Sequence, residues 1–114
     1  MAENQYKAHI ARRLEEEFPG CMIIKLDPFS QQGLPDRLVL YGNRWAALEI
    51  KDHAKAKIQA NQPYFVELMN DMSFAAFIYP ENEADVFHEL HLAFAEPRRY
   101  ARLSEPEQLP LGEL

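Results

Sequence analysis

The chain has one cysteine among its 114 residues, so no internal disulfide can form, and the composition suits a reducing cytoplasm. Cys21 follows Gly20 and opens an apolar run, which reads as a buried strand thiol rather than a nucleophile. No apolar stretch approaches the roughly 20 residues that span a bilayer, and no membrane association is expected. The first residues, MAENQYKAHIARR, are polar and charged and do not resemble a secretory leader. Basic residues are scarce against acidic ones: Lys and Arg total 12, Asp and Glu 18, for a net charge of −6. That balance excludes a non-specific nucleic-acid coat, whose phosphate contacts come from Lys and Arg. It leaves room for a local basic patch beside a metal site. Internal repeats and low-complexity tracts are absent.

Hydrophobic residues make up 47% of the chain, enough for one modest core in one ordinary domain. Tyr6, Ile10, Leu14 and Phe18 recur at helical spacing, which predicts a helix over 3–18 stopped by Pro19-Gly20. CMIIKL at 21–26 predicts a strand, followed by a polar loop over 27–33. RLVLY (37–41) and RWAALEIK (44–51) predict two more strands, joined by Gly42-Asn43 as a two-residue hairpin turn. Residues 52–61 read as a loop or frayed helix start. Asn61 is a candidate cap for a helix opening at Gln62, with Phe65, Leu68, Met69 and Met72 as its apolar stripe. SFAAFIY (73–79) predicts a buried strand. Residues 82–95 predict a last helix with Val86, Phe87, Leu90 and Phe94 inward, on which His88 and His91 could share a face. Three prolines and several charges mark 96–114 as a tail, after a domain spanning 1–95. The expected order αβββαβα is a mixed sheet flanked by helices, an α/β or α+β domain. The helical crossover places the strand at 73–79 parallel to the one ending at Lys51.

The hairpin register carries chemistry. With a two-residue loop at 42–43, Tyr41 pairs with Arg44 and, counting outward, Asp36 faces Glu49. Lys51, two residues beyond Glu49, points to the same side. Opposed carboxylates repel unless a cation lies between them, and a hard divalent ion does this well. The Ile50 carbonyl is a plausible further oxygen ligand, and Lys51 is placed to orient or deprotonate an attacking water. The other reading is structural: Asp36 ends a strand, and Glu49 pairs with Lys51 or a nearby Arg. Geometry alone leaves both open.

At these residues the chain resembles the PD-(D/E)xK nuclease superfamily: Pro35-Asp36 is similar to its PD, and Glu49-Ile50-Lys51 to its (D/E)xK. GLPD before a hydrophobic strand, then LEIK, then Gln62 followed by Phe65, looks most like the VRR-NUC branch. The resemblance covers about residues 3–80. It implies a restriction-endonuclease-like fold and phosphodiester hydrolysis dependent on Mg²⁺ or Mn²⁺. Asp36 and Glu49 would bind metal, Lys51 would position water, and Glu3 and Gln62 would support the metal or its waters. Gln59-Ala60-Asn61 departs from the small hydroxyl residue usual before the family's glutamine, and Glu15-Glu16-Glu17 is an alternative source of the helix carboxylate.

Phosphate contacts would come from His53, Lys55 and Lys57, which follow the strand directly, with Gln31, Gln32 and Arg37 on the other side. Arg98, Arg99 and Arg102 with Tyr100 form a second basic patch. Stand-alone proteins resembling this branch act as homodimers on branched DNA, four-way junctions included, so DNA and a second copy are the expected partners. Gln108-Leu109-Pro110-Leu111 resembles the QLxL core of sliding-clamp-binding peptides, without the aromatic that usually follows. A rival function is an acidic protein-binding module that keeps the fold without catalysis.

Overall fold

The computed structural model describes residues 1–27 and 31–95. The tail beyond them, with its basic patch and its QLxL segment, lies outside the described residues. The chain is an α+β fold: α1 (Glu3–Glu17), β1 (Met22–Lys25), β2 (Arg37–Tyr41), β3 (Arg44–Ile50), α2 (Gln62–Met72), β4 (Phe74–Ile78) and α3 (Glu83–Ala95). The strands form one mixed sheet in the order β1-β2-β3-β4. β1–β2 and β2–β3 are antiparallel, and β3–β4 is parallel, as the crossover through α2 requires. Gly42 adopts a φ of 60°, and the hairpin pairs Tyr41 with Arg44 through to Arg37 with Leu48. None of the described helices is long and apolar enough to cross a membrane.

Alternation along the strands gives the sheet two unlike faces. Val39, Ala46, Leu48, Ile50 and Ile78 face α1 and α3, where Tyr6, Ile10, Leu14 and Phe18 meet Val86, Phe87 and Leu90. Truncating a fully buried member such as Ile10 or Leu14 to alanine would cost about 2–5 kcal/mol. The other face is thinner. Ala47 and Ala75 pack under Val66 of α2, with Trp45, Met69 and Phe77 around them.

Polar links fasten α1 to α3. Glu83 accepts hydrogen bonds from Tyr6 Oη (2.9 Å) and Arg13 (2.6 Å) and pairs with His9 at 2.9 Å. Burial pushes the Glu83 carboxyl up, but the bonds from Arg13, His9 and Tyr6 outweigh it and hold the group below its usual range. Arg13 also bonds Glu17 and lies 4.0 Å over the Phe87 ring. His88 and His91 are both exposed, and His91 pairs with Glu17 at 2.7 Å and packs on Phe18.

Three expectations need correction. Asn61 makes no side-chain cap bond and sits at φ −89°, ψ −9°, in the helical region rather than the extended one a capping side chain uses. The inner face of α2 also differs from the expected stripe. Gln62 and Val66 are its buried residues, Phe65, Leu68 and Met69 are partly covered, and Met72 is 64% exposed. Turning Gln62 inward rotates the helix so that Met72 swings out. Cys21 lies just before β1 and is partly rather than fully buried, and burial pushes its thiol pKa up, consistent with an unreactive side chain.

The free edge of β4 is capped in part by side chains. Lys51 N–H donates to the Ile78 carbonyl (2.9 Å), so Ile78, Ala76 and Phe74 turn their backbone groups toward β3. Ala75, Phe77 and Tyr79 therefore turn theirs outward. Asn70 Oδ1 accepts the Ala75 N–H at 3.0 Å; Asn82 Oδ1 accepts the Tyr79 N–H at 2.8 Å, and Asn82 Nδ2 donates to the Phe77 carbonyl at 3.0 Å. Asn82→Ala removes two of these bonds and should lower the unfolding free energy by about 1–3 kcal/mol. Urea denaturation checks this, and an unchanged midpoint would contradict it.

Candidate functional site

The site forms where β2 and β3 part. Arg37–Leu48 is the last pair of their ladder, so Asp36 and Glu49 stand next in register. Asp36 is anchored from several sides. Its carbonyl accepts the Leu26 N–H (2.9 Å) and a bond from the Arg37 guanidinium (3.1 Å), and its carboxylate Oδ2 accepts the Ile50 N–H (2.9 Å). If the ladder continued, Pro35 would stand opposite Ile50, and Pro35 has no N–H to give to the Ile50 carbonyl. The Pro-Asp pair thus ends the ladder, puts a carboxylate in its place and leaves the Ile50 carbonyl facing the gap.

Glu49 is only 3% exposed. Burial, then the neighbouring Asp36 charge, pushes its carboxyl up to about 7 against the pull of Lys51. Lys51 Nζ lies 3.2 Å from Glu49 Oε2 and also donates to Gln62 Oε1 at 3.2 Å. Glu49 Oε1 is buried with no hydrogen-bond partner. Since two ionised carboxylates cannot bond each other, a proton shared with Asp36, a buried water or a cation would satisfy that atom.

Gln62 is held by more than Lys51. Its Oε1 also accepts the Gln59 N–H at 2.8 Å, which ties the 52–61 loop to the start of α2. Gly33 fixes the other side of the same gap. It sits at φ +95°, and a Cβ there would lie 2.5 Å from the Asn61 Cβ and 2.9 Å from its carbonyl carbon. Only glycine lets the loop carrying Asp36 and the buried Pro35 press against Asn61, the residue before α2.

Asp36, Glu49, Lys51, Gln62 and the Ile50 backbone are therefore brought together. Glu3 is set back: its carboxylate is half-exposed and 4.0 Å from Lys7 Nζ, and Lys7 lies 3.5 Å from Asp36 Oδ1. Lys7 escaped the sequence reading, although its place one turn after Glu3 was a usable signal. The acids of 15–17 lie at the far end of α1, where Glu17 is taken by Arg13 and His91. His53, Lys55 and Lys57 are exposed on the loop after β3. Arg37 belongs, by register, to the opposite sheet face from Asp36 and reaches round only to the Asp36 carbonyl.

Among the described residues no group of three or more His, Cys, Asp or Glu side chains converges as a ready-made metal cage. The site offers two carboxylates, one with an unpartnered oxygen, and a backbone carbonyl. That set fits a hard cation that keeps water and takes further oxygens from a substrate phosphate. No protein-family model, curated protein or solved structure matches this chain.

The raised Glu49 pKa has a definite sign for stability. The folded state holds its proton up to about pH 7, whereas the unfolded carboxyl releases it near 4.5. Stability from this group is full below pH 4.5 and is lost as pH rises toward 7, by about 3 kcal/mol in total. The depressed Glu17 and Glu83 carboxyls act below that window, where their stabilisation is lost as pH falls. Urea unfolding of the wild type against Glu49→Gln should therefore show a gap that widens in the mutant's favour from pH 5 to 7.5. A gap independent of pH would contradict the buried-acid assignment.

Proposed function

We propose that this chain is a divalent-metal-dependent DNA endonuclease of restriction-endonuclease-like fold, acting on branched DNA as a homodimer. One observation carries the reading: a buried glutamate, next in register to an aspartate and touched by a lysine, keeps one oxygen without a partner. A stability-driven core has no use for such an atom, because an unsatisfied buried acid costs about 1–3 kcal/mol or more. The αβββαβα order and the mixed sheet support the same reading.

Asp36, Glu49 and the Ile50 carbonyl would hold Mg²⁺ or Mn²⁺. When bound, the cation supplies Lewis-acid polarisation of the scissile phosphate. The chain's own groups do the rest. Lys51 Nζ, fixed between Glu49 and Gln62, positions the attacking water and answers the negative charge that grows on the phosphate. Gln62 keeps Lys51 from collapsing wholly onto Glu49. Lys7 neutralises Asp36, and Glu3 orients Lys7 and water at the mouth of the site. His53, Lys55 and Lys57 guide the DNA backbone, which lets an acidic protein hold a polyanion locally.

A rival reading has its own supporting observation. Each acid already has a lysine, Lys7 on Asp36 and Lys51 on Glu49, which is also how a structural cluster is balanced. On that view the chain is an acidic protein-binding module. A cleavage assay separates the two, using labelled four-way junction, flap, single-stranded and duplex DNA with Mg²⁺, Mn²⁺ or EDTA. The expected result is metal-dependent cleavage, strongest on branched DNA, that falls at least about 100-fold in Lys51→Ala. Folded protein that cleaves none of these, or equal activity in the mutant, would reject the nuclease reading.

A further inference from the structure

The two edges of the sheet are not alike. On β4 three of the outward backbone groups, the Ala75 and Tyr79 N–H and the Phe77 carbonyl, are met by Asn70 and Asn82. On β1 the pattern is the reverse. The Leu26 N–H to Asp36 carbonyl bond marks Leu26–Asp36 as a hydrogen-bonded pair, so Ile24–Leu38 and Met22–Leu40 are hydrogen-bonded pairs too. Ile23 and Lys25 thus turn both N–H and C=O away from the sheet. Among the described residues no side chain or backbone group meets them. An edge blunted on one side and bare on the other is selective, because natural sheets cover the edges they do not use.

The bare edge is also self-complementary. We propose that β1 is the edge on which a second copy of this chain adds, antiparallel and about a two-fold axis at Ile24. In that register Ile23 of one copy stands opposite Lys25 of the other, and both turn their backbone groups outward. Two hydrogen-bonded pairs form, four bonds in all, and Ile24 meets its own copy as the non-bonded pair between them. Met22, an apolar side chain left 58% exposed, falls opposite Leu26 of the second copy on the same face. Lys25 is the only charge on β1, and it meets Ile23 rather than another lysine.

The two copies then share one eight-stranded sheet. Antiparallel addition keeps like faces on the same side, so the face bearing Asp36, Glu49 and Lys51 looks the same way in both. Strand spacing and rise place the two sites about 25–30 Å apart. The inference deepens the dimer of the proposed function and rests on that part of the reading alone, so its test uses neither DNA nor metal.

Light scattering on the full chain measures the assembly. Lys25→Pro deletes an N–H that points away from β2 and follows a residue already extended, so the internal ladder is kept. The expected result is a dimer for the wild type and a monomer for Lys25→Pro with an unchanged circular dichroism spectrum. A second variant guards against misfolding. Ile24→Cys in a Cys21→Ser background places two thiols at a non-bonded antiparallel pair, about 4.5 Å between Cα atoms, within disulfide reach. Mild oxidation should trap it as a covalent dimer. A wild type that stays monomeric, as it would if its own residues 96–114 covered β1, overturns the proposal. So does a Lys25→Pro dimer. If Lys25→Pro does not fold, trapping of the Ile24→Cys protein decides: a covalent dimer supports the β1 edge, and its absence overturns it.

Discussion

Two carboxylates set beside each other at the mouth of a β-hairpin are the constraint around which this fold is arranged. Glu49 is removed from water and stands next to Asp36, so its charged form is disfavoured twice. Lys51 relieves part of that strain, and one oxygen remains unsatisfied. Such a group persists only if surrounding structure enforces it. Here the enforcement is visible: a parallel strand on one side of β3, the anchored Asp36 on the other, and α2 lying across with Gln62 against Lys51. Nucleases of the type proposed need this geometry, because their chemistry is mostly the holding of charge in place.

Much of this follows from small residues and local rules. Gly42 sets the hairpin turn and hence the register that aligns Asp36 with Glu49. Pro35 ends the ladder where the carboxylate must enter. Gly33 lets the loop close onto Asn61, a contact that any side chain would prevent. The thick core of aromatic and branched residues lies on the other face of the sheet, under α1 and α3. Stability and site are thus divided between the two faces, with alanines at positions 47 and 75 thinning the layer beneath α2.

The element order, the strand pairing and the register were legible because they rest on periodicity and on one turn, both local signals. The cluster of Asp36, Glu49 and Lys51 was legible for the same reason, since register alone brings it together. What was not legible depends on tertiary contacts. Val66 turns inward and Met72 outward because Gln62 must reach Lys51, and a stripe of apolar residues cannot carry that information. Asn61 resembles a cap in sequence, yet its backbone is in the helical region and its side chain makes no cap bond. The Lys7–Asp36 pair and the Glu83 network join residues far apart in the chain. The helical spacing of Lys7 from Glu3 marks its face but not its partner Asp36, and no spacing rule pairs Glu83 with α1.

If the opposed acids exist to hold a cation, the protein should be more stable with one than without. Thermal unfolding of the wild type and Asp36→Asn, each in EDTA and in Mn²⁺, tests that directly. Ligand that binds only the folded state stabilises it in proportion to the logarithm of its concentration. Mn²⁺ is expected to raise the wild-type midpoint, and Asp36→Asn to unfold at a higher temperature than wild type in EDTA and to respond little to metal. A wild type indifferent to Mn²⁺, with Asp36→Asn less stable in EDTA, would contradict this and leave the acids as partners of Lys7 and Lys51 alone.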